Sequence, residues 1–403
     1  MPKNKRPAPR KPTPEDKDEV VTQLLCDLAL DLVEQEDSDE ANMSDVLRQK
    51  EIDFHKLIQK TLHQSKDEVL YEAIERAKYA DVGAYQYLRS NIEEASGTVL
   101  VQRDGAAAIE VNAFVIPLFV HSTGGLKEAD DFQDQDAFEL LVGSFQQAEL
   151  ESRKAKVVLV RHAYDLSEID SITYSHLNEM VRDAWASMTE KKIVATPGLE
   201  RSLLGWSGNT FGAADSAVEL RFLLGFAQKR VDDPFYLAPD DEAAADAWFA
   251  ARTMRYQQWT QQVTPLLQRC LAADGGALEL NFLYQDLFHG GKEQGMAEYF
   301  MLQMMADINQ ALEQNKLGAD QVTAIVAPAD VRGQMVLRVN LYAASGGALL
   351  ATSEKPLDLG ADLQVEVDDI CDALSTIGIT SLSVAIKFDA QGQAQGAQPY
   401  QAH

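Results

Sequence analysis

The chain has 403 residues, 46% of them hydrophobic and 25% charged, with a net charge of −27. That is the make-up of an acidic globular protein long enough for two or three domains with real cores. No apolar run approaches the ~20 residues of a membrane helix, and so acidic a body is repelled by nucleic acid and by anionic lipid.

Residues 1–17 read as a disordered, basic, proline-rich tail. Lys3, Lys5, Arg6, Arg10 and Lys11 precede the first acid, and the prolines from Pro2 to Pro14 exclude regular helix. No apolar core follows that would make the tail a secretory signal. Residues 18–96 read as a helical region. Val20, Val21, Leu24, Leu25, Leu28, Leu32 and Val33 form a wide stripe at helical spacing, and Val46, Leu47, Phe54, Leu57, Ile58 and Leu62 form a second. Ser65-Lys66-Asp67-Glu68 has the pattern of a capping box opening a third helix. A fourth helix, with Tyr85, Leu88 and Ile92, closes at Gly97.

From residue 97 the pattern turns to sheet. Thr98–Gln102 reaches Asp104-Gly105, a tight-turn pair, and then the apolar run 106–120. A first α/β region, 97–230, carries helices near 132–150 and 174–188, strands at 156–161 and 218–226, and a long irregular stretch at 189–214. A second, 231–388, opens with a long helix at 240–271, which Pro265 is expected to kink. It continues through strand 277–284, helix 293–314, strands 321–327, 334–343 and 348–352, helix 365–377 and strand 380–388. In that last strand Leu382, Val384, Ile386 and Phe388 alternate inward. Alternation indicates sheets with one wet face, hence mixed or antiparallel pairing. Residues 389–403 show no apolar pattern and read as a loose tail. The fold class is therefore α/β to α+β, a helical leader followed by mixed, partly antiparallel sheets with packed helices.

Several constellations carry possible chemistry. Val157–Ala163 is a strand ending in Arg161-His162, and it resembles the opening motif of the histidine phosphatases. An imidazole nucleophile beside an arginine suits phosphoryl transfer, although Ala163 replaces that motif's glycine. Two glycine pairs follow strands, Gly124-Gly125 with Lys127 and Gly290-Gly291 with Lys292. Backbone amides at a strand-to-helix turn beside a lysine can hold phosphate, though neither spacing is that of a Walker loop. Gly205-Trp206-Ser207-Gly208 departs from a nucleophile elbow. The acidic runs around Asp134 and Asp368 lack the glycine and terminal glutamate of a calcium loop, and no histidine pairs with cysteine at ligand spacing, so no metal and no cofactor are expected. In the 240–271 helix, Trp248, Phe249, Tyr256 and Trp259 accompany Arg252 and Arg255, a combination that can stack bases or anchor a protein partner, and that in so acidic a body reads first as packing against a sheet.

The leader ending in Leu28-Ala29-Leu30, the Ala84-Tyr85 helix, the strand Phe114–Phe119 and Trp259-x-x-Gln262-x-x-Pro265-Leu266 resemble an uncharacterised family of β-proteobacterial proteins known only as a domain of unknown function. The resemblance spans most of the chain. It implies this order of elements and a cytoplasmic bacterial protein, and it brings no activity with it. The sequence therefore reads as a cytoplasmic, non-catalytic interaction or regulatory protein, with a protein partner on the helical region 18–96. The alternatives are a phosphate-ester hydrolase or phosphate-binding protein using Arg161 and His162, and a nucleic-acid contact through residues 1–14.

Overall fold

The computed structural model describes residues 13–36, 45–102, 105, 107–122, 134–152, 154–189, 210–211, 217–233, 238–271, 278–345 and 347–401. The fold is α+β, with a helical N-terminal unit, two larger sheets and a small two-stranded one among the described residues. Helices α1 (Pro14–Glu36), α2 (Asp45–His63), α3 (Asp67–Ala80) and α4 (Val82–Gly97) make the first unit. The apolar stripes read from sequence face one another there: Leu25, Ala29 and Leu32 pack with Phe54, Ile58, Leu62, Leu70, Leu88 and Ile92. Pro14 opens α1, because a proline in the first helical turn gives up no intrahelical hydrogen bond. The helix thus starts inside the stretch read as tail, and residues 1–12 lie outside the described residues.

The capping reading at Ser65 is corrected. Ser65 has φ +51°, Lys66 is the N-cap of α3 and its side chain makes no capping bond. Asp67 instead turns its carboxylate toward another helix, accepting from the Ser175 amide (2.8 Å) and the Thr173 hydroxyl (3.0 Å). Those groups open α7 (Tyr174–Thr189), so α3 caps α7.

The central sheet is antiparallel throughout and organised by β2 (Ile109–Ser122), a strand of 14 residues. Along one edge of β2 lie β1 (Thr98–Val101), then β7 (Asp286–Leu287) and β6 (Leu278–Phe282). Along the other lies β5 (Ala217–Arg230), which in turn pairs with β3 (Lys156–Asp165) and β4 (Thr210–Phe211). β1 and β2 are joined by residues 102–108, a longer connection than the tight turn read at Asp104-Gly105. Gly105 takes φ +72° within it. On one face of the sheet sit α6 (Leu166–Asp170), α7 and the start of α9 (Phe288–Asn315), around Val115, Phe222, Leu224 and Phe288. On the other sit α5 (Gln135–Gln147) and the second half of α8 (Glu242–Leu271), around Phe114, Phe145, Trp259 and Leu267. α8 runs unbroken through Pro265.

The second sheet is β10 (Leu349–Pro356), β9 (Gln334–Ala343), β8 (Val322–Val331), β11 (Leu382–Val384) and β14 (Gln398–Pro399), with β8 and β11 its one parallel pair. α10 (Leu363–Thr376) and the second half of α9 cover it. The division read at residue 230 is therefore displaced. α8, β6, β7 and the start of α9 belong to the central sheet, and the second core begins near Met301.

The strand read over 380–388 breaks at Ala385. There the Ala385 amide bonds to Val326 O and the Ile386 amide to Gln395 O, so the chain changes partner and rotates. Ala385 takes the buried side and Ile386 is 74% exposed. The residues beyond, read as a loose tail, are ordered to 401. β12 (Lys387–Phe388) pairs with β13 (Ala394–Gln395) across a turn in which the Asp389 carboxylate accepts the Gln391 and Gln393 amides, and β14 returns to β11.

Gly225 of β5 shows how tightly the central sheet is filled. A Cβ there would sit 2.3 Å from Phe114 Cζ and 2.7 Å from Leu159 Cδ2. Gly225→Ala is expected to lower unfolding free energy by about 1–3 kcal/mol through overpacking, measured as a lower urea midpoint at unchanged m-value.

Candidate functional site

Arg161 and His162 are not brought together. Successive residues of a strand face opposite sides, and here Arg161 lies over the Phe138 ring on the α5 side (4.8 Å), while His162 sits edge-on to Tyr164 on the α6 side. His162 Nε2 donates to Glu168 Oε2 (2.8 Å), and the same oxygen accepts the Asp165 amide (2.9 Å) within the capping box of α6. His162 and Glu168 are both buried. The pair braces a helix start just past a register shift in β3, where the ladder to β5 slips between Leu159 and Ala163. On the opposite face Arg221, 1% exposed, is held by Glu219 (Nη2–Oε2 2.5 Å). Burial pushes the Glu219 carboxyl above its usual range, Asp165 adding to the effect against the pull of Arg221.

Gly124, Gly125 and Lys127 lie outside the described residues, as does the stretch Gly205–Gly208. Gly290 and Gly291 are within the first turn of α9, not in a loop ahead of it. Their missing side chains serve packing. A Cβ on Gly290 would meet the Asp286 carboxylate at 2.7 Å, and one on Gly291 would meet Val115 Cγ2 at 2.6 Å. The space above these glycines is filled by a carboxylate and a valine of the chain itself, and Lys292 turns away to Asp170 (2.7 Å). His121, His162 and His289, each close to the end of a strand, have different partners: Glu279 for His121, Glu168 for His162, Ser96 for His289. Among the described residues no group of three or more His, Cys, Asp or Glu is placed to hold a metal ion.

Elsewhere lies a cleft of about 760 Å³, where the helical unit, the central sheet's helices and the second sheet meet. Its centre is Arg89. α4 carries an apolar row, Ala84, Leu88 and Ile92, into the helical core, and the row one residue on, Tyr85, Arg89 and Glu93, faces the joint. Arg89 Nε binds Glu93 Oε1 (2.7 Å), and Nη1 donates to the Tyr85 hydroxyl (3.2 Å). The same guanidinium pairs with Glu293 of α9 and with Asp358 of the loop after β10. One planar cation thus joins carboxylates from three parts of the molecule, the multidentate role for which guanidinium is suited. Burial alone disfavours its charge, but Glu93 and Asp358 outweigh that and hold its pKa above the ordinary value. Asp358 is correspondingly held low: burial would raise it, and the Gly360 amide and Arg89 more than reverse this. Lys355 pairs with Glu366 (2.5 Å) at the far wall.

Behind this network, Ser96 Oγ shares a 2.9 Å hydrogen bond with His289 Nε2, and the Tyr174 ring lies 5.5 Å from the imidazole. Burial first, then Lys292 and Arg89, push His289 down to about 3, so it is neutral at physiological pH. Burial and Glu93 hold the Tyr174 phenol protonated. The cleft offers matched charges already committed to one another. Its chemistry is that of a clasp.

The second feature is α8. Trp259 is fully buried, donating Nε1–H to Ser144 Oγ (2.6 Å), and Tyr256 binds Leu283 O. Toward its N-terminus the helix projects beyond α5. Trp248 and Phe249 meet edge to face there, Arg252 lies 5.8 Å from the Trp248 ring, and Phe249 and Met254 are 55% and 59% exposed. The aromatic helix read from sequence is thus two things, a core half and a bare half.

No protein-family model, curated protein or solved structure matches this chain. Among the described residues no helix is long and apolar enough to cross a membrane.

Two outcomes follow from the cleft. Arg89→Ala is expected to cost roughly 1–2 kcal/mol, since it removes a half-buried cation shared by the half-buried Glu93 and the exposed Glu293 and Asp358. Hydrogen exchange in residues 357–361 should accelerate more than in β8 or β9. His289 titrates near 6.5 when unfolded and near 3 when folded, so the unfolded chain binds the extra proton between those values. Stability should therefore fall as pH drops from about 6.5 toward 3, and His289→Gln should flatten that slope relative to wild type in urea titrations.

Proposed function

We propose that this chain is a non-catalytic interaction or regulatory protein of the bacterial cytoplasm, in keeping with the family it resembles, and that it meets its partner on the projecting half of α8. The observation that carries the reading is the bare aromatic segment Trp248–Met254, where two large apolar side chains stay more than half exposed on an ordered helix. The helical region supports a second surface: Val20 and Leu24, one turn apart on α1, are 64% and 45% exposed although the rest of the stripe is used internally. The paired state of the cleft favours a mechanical role for it, holding the three parts in one arrangement.

Point variants separate these readings better than deletions, because α3 caps α7 and removing the leader would damage the sheet unit. Tagged wild type, Phe249→Asp/Met254→Asp and Val20→Asp/Leu24→Asp would each be incubated with native lysate and cross-linked. A partner lost only with the α8 variant supports this reading; loss only with the α1 variant moves the surface to the helical region; no difference among the three discards both. Turnover of a generic phosphate ester that disappears in His162→Ala would replace the reading by a hydrolase.

A further inference from the structure

We propose that the occupant of the projecting half of α8 is the same segment of a second copy of this chain, lying antiparallel about a two-fold axis. The inference rests on the interaction reading above and names its partner. Within the body, α8 buries Tyr256, Trp259 and Val263. The alternating three- and four-residue spacing of that seam continues outward through Arg252, Phe249, Ala245 and Glu242. The same face therefore runs off the end of α5 for about 20 Å, at about 1.5 Å per residue. Along that extension Ala245 and Arg252 are half-buried, and Phe249 is exposed.

The exposed stretch is self-complementary when reversed. Its first end is acidic, Asp240, Asp241 and Glu242, and its inner end is basic, Arg252 and Arg255. Antiparallel pairing centred on residue 247 sets Glu242 against Arg252 of the second copy and Ala245 against Phe249, a small residue facing a large one. Parallel pairing would stack Glu242 on Glu242 and Arg252 on Arg252, which like-charge repulsion opposes. A partner of single charge sign would match one end and be repelled by the other. Asp241 is already in use, its carboxylate accepting the Ala244 amide as a helix cap (3.0 Å). Among the described residues Glu242 and Arg252 form no ion pair, and Arg252 is held along the helix by the Trp248 ring. Each two-fold contact uses the same patch twice, the rule for closed dimers.

The contact area of two such segments belongs to the small, transient class of interfaces. The net charge of −27 also repels a second copy at long range, an effect screened at physiological salt. The expected behaviour is a weak dimer whose population rises with concentration.

Sedimentation velocity of the full chain from about 1 to about 200 µM in about 0.15 M salt reads this directly. Wild type should move from monomer toward twice the chain mass. Phe249→Asp and Arg252→Glu should each weaken association at least tenfold with unchanged circular dichroism. The exchange Glu242→Arg/Arg252→Glu should restore it, because every crossing pair is then reversed together. Wild type that stays monomeric at the highest concentration overturns the proposal. So does a dimer indifferent to both single variants, or an exchange variant as weak as Arg252→Glu. If wild type is monomeric while Phe249→Asp still loses a lysate partner, the second copy is discarded and the interaction reading stands.

Discussion

The architecture depends on β2 being buried on both faces over most of its length. A strand with one wet face needs helices on one side only; this one carries Val111, Val115 and Phe119 toward α7 and α9, and Phe114, Ile116, Leu118 and Val120 toward α5 and α8. That double burial makes an antiparallel sheet behave as the middle layer of three, an arrangement more usual for parallel sheets. It also explains the glycines. Gly225 yields room to the Phe114 ring, and Gly291 and Gly295 let α9 lie close on Val115 and Pro117. The sequence feature that resembled a phosphate turn is the imprint of a helix pressed against this strand.

Around that layer the other parts keep their own cores and are joined to it by shared packing and by polar contacts: α9 enters the cores of both sheets, and Tyr174 of α7 packs on the helical unit. The helical unit and the second sheet each have their own apolar cluster, and Arg89 closes the joint between them and α9. A single guanidinium shared among three carboxylates is sensitive to geometry: each partner is placed only when all three parts are docked. The apolar clusters hold each part, and the ion network fixes how the parts stand to one another.

Much of the fold was legible because its elements announce themselves by period. Val20–Val33 and Val218–Phe226 need no tertiary context to be read as helix and strand. What escaped were features set by distant partners. Ile386 shares the period of Leu382 and Val384, yet the chain changes sheet at Ala385, and no local pattern marks that exchange. The last residues show no apolar period because their short strands pair through backbone bonds around the Asp389 turn, for which Asp-x-x-Gly392 was the available signal, and Ala394 and Tyr400 reach the core from isolated positions. Asp67 looked like part of its own helix cap and serves another helix 106 residues away. For the site, Arg161 and His162 were adjacent in sequence, but in a strand adjacency means opposition. The clasp left a trace in the spacing Tyr85, Arg89, Glu93 on one helical row; its other partners, Glu293 and Asp358, come from remote segments that pattern alone does not connect.

The carboxylate of Asp67 has a wider bearing. Helix α7 lies against the central sheet, but its opening amide and the neighbouring hydroxyl are satisfied from the N-terminal unit, and Asn178 of the same helix donates to Ala95 O at 2.9 Å. The two units interlock like dovetailed timber, so cutting the helical unit away would leave the opening of α7 uncapped and the Asn178 amide without its carbonyl.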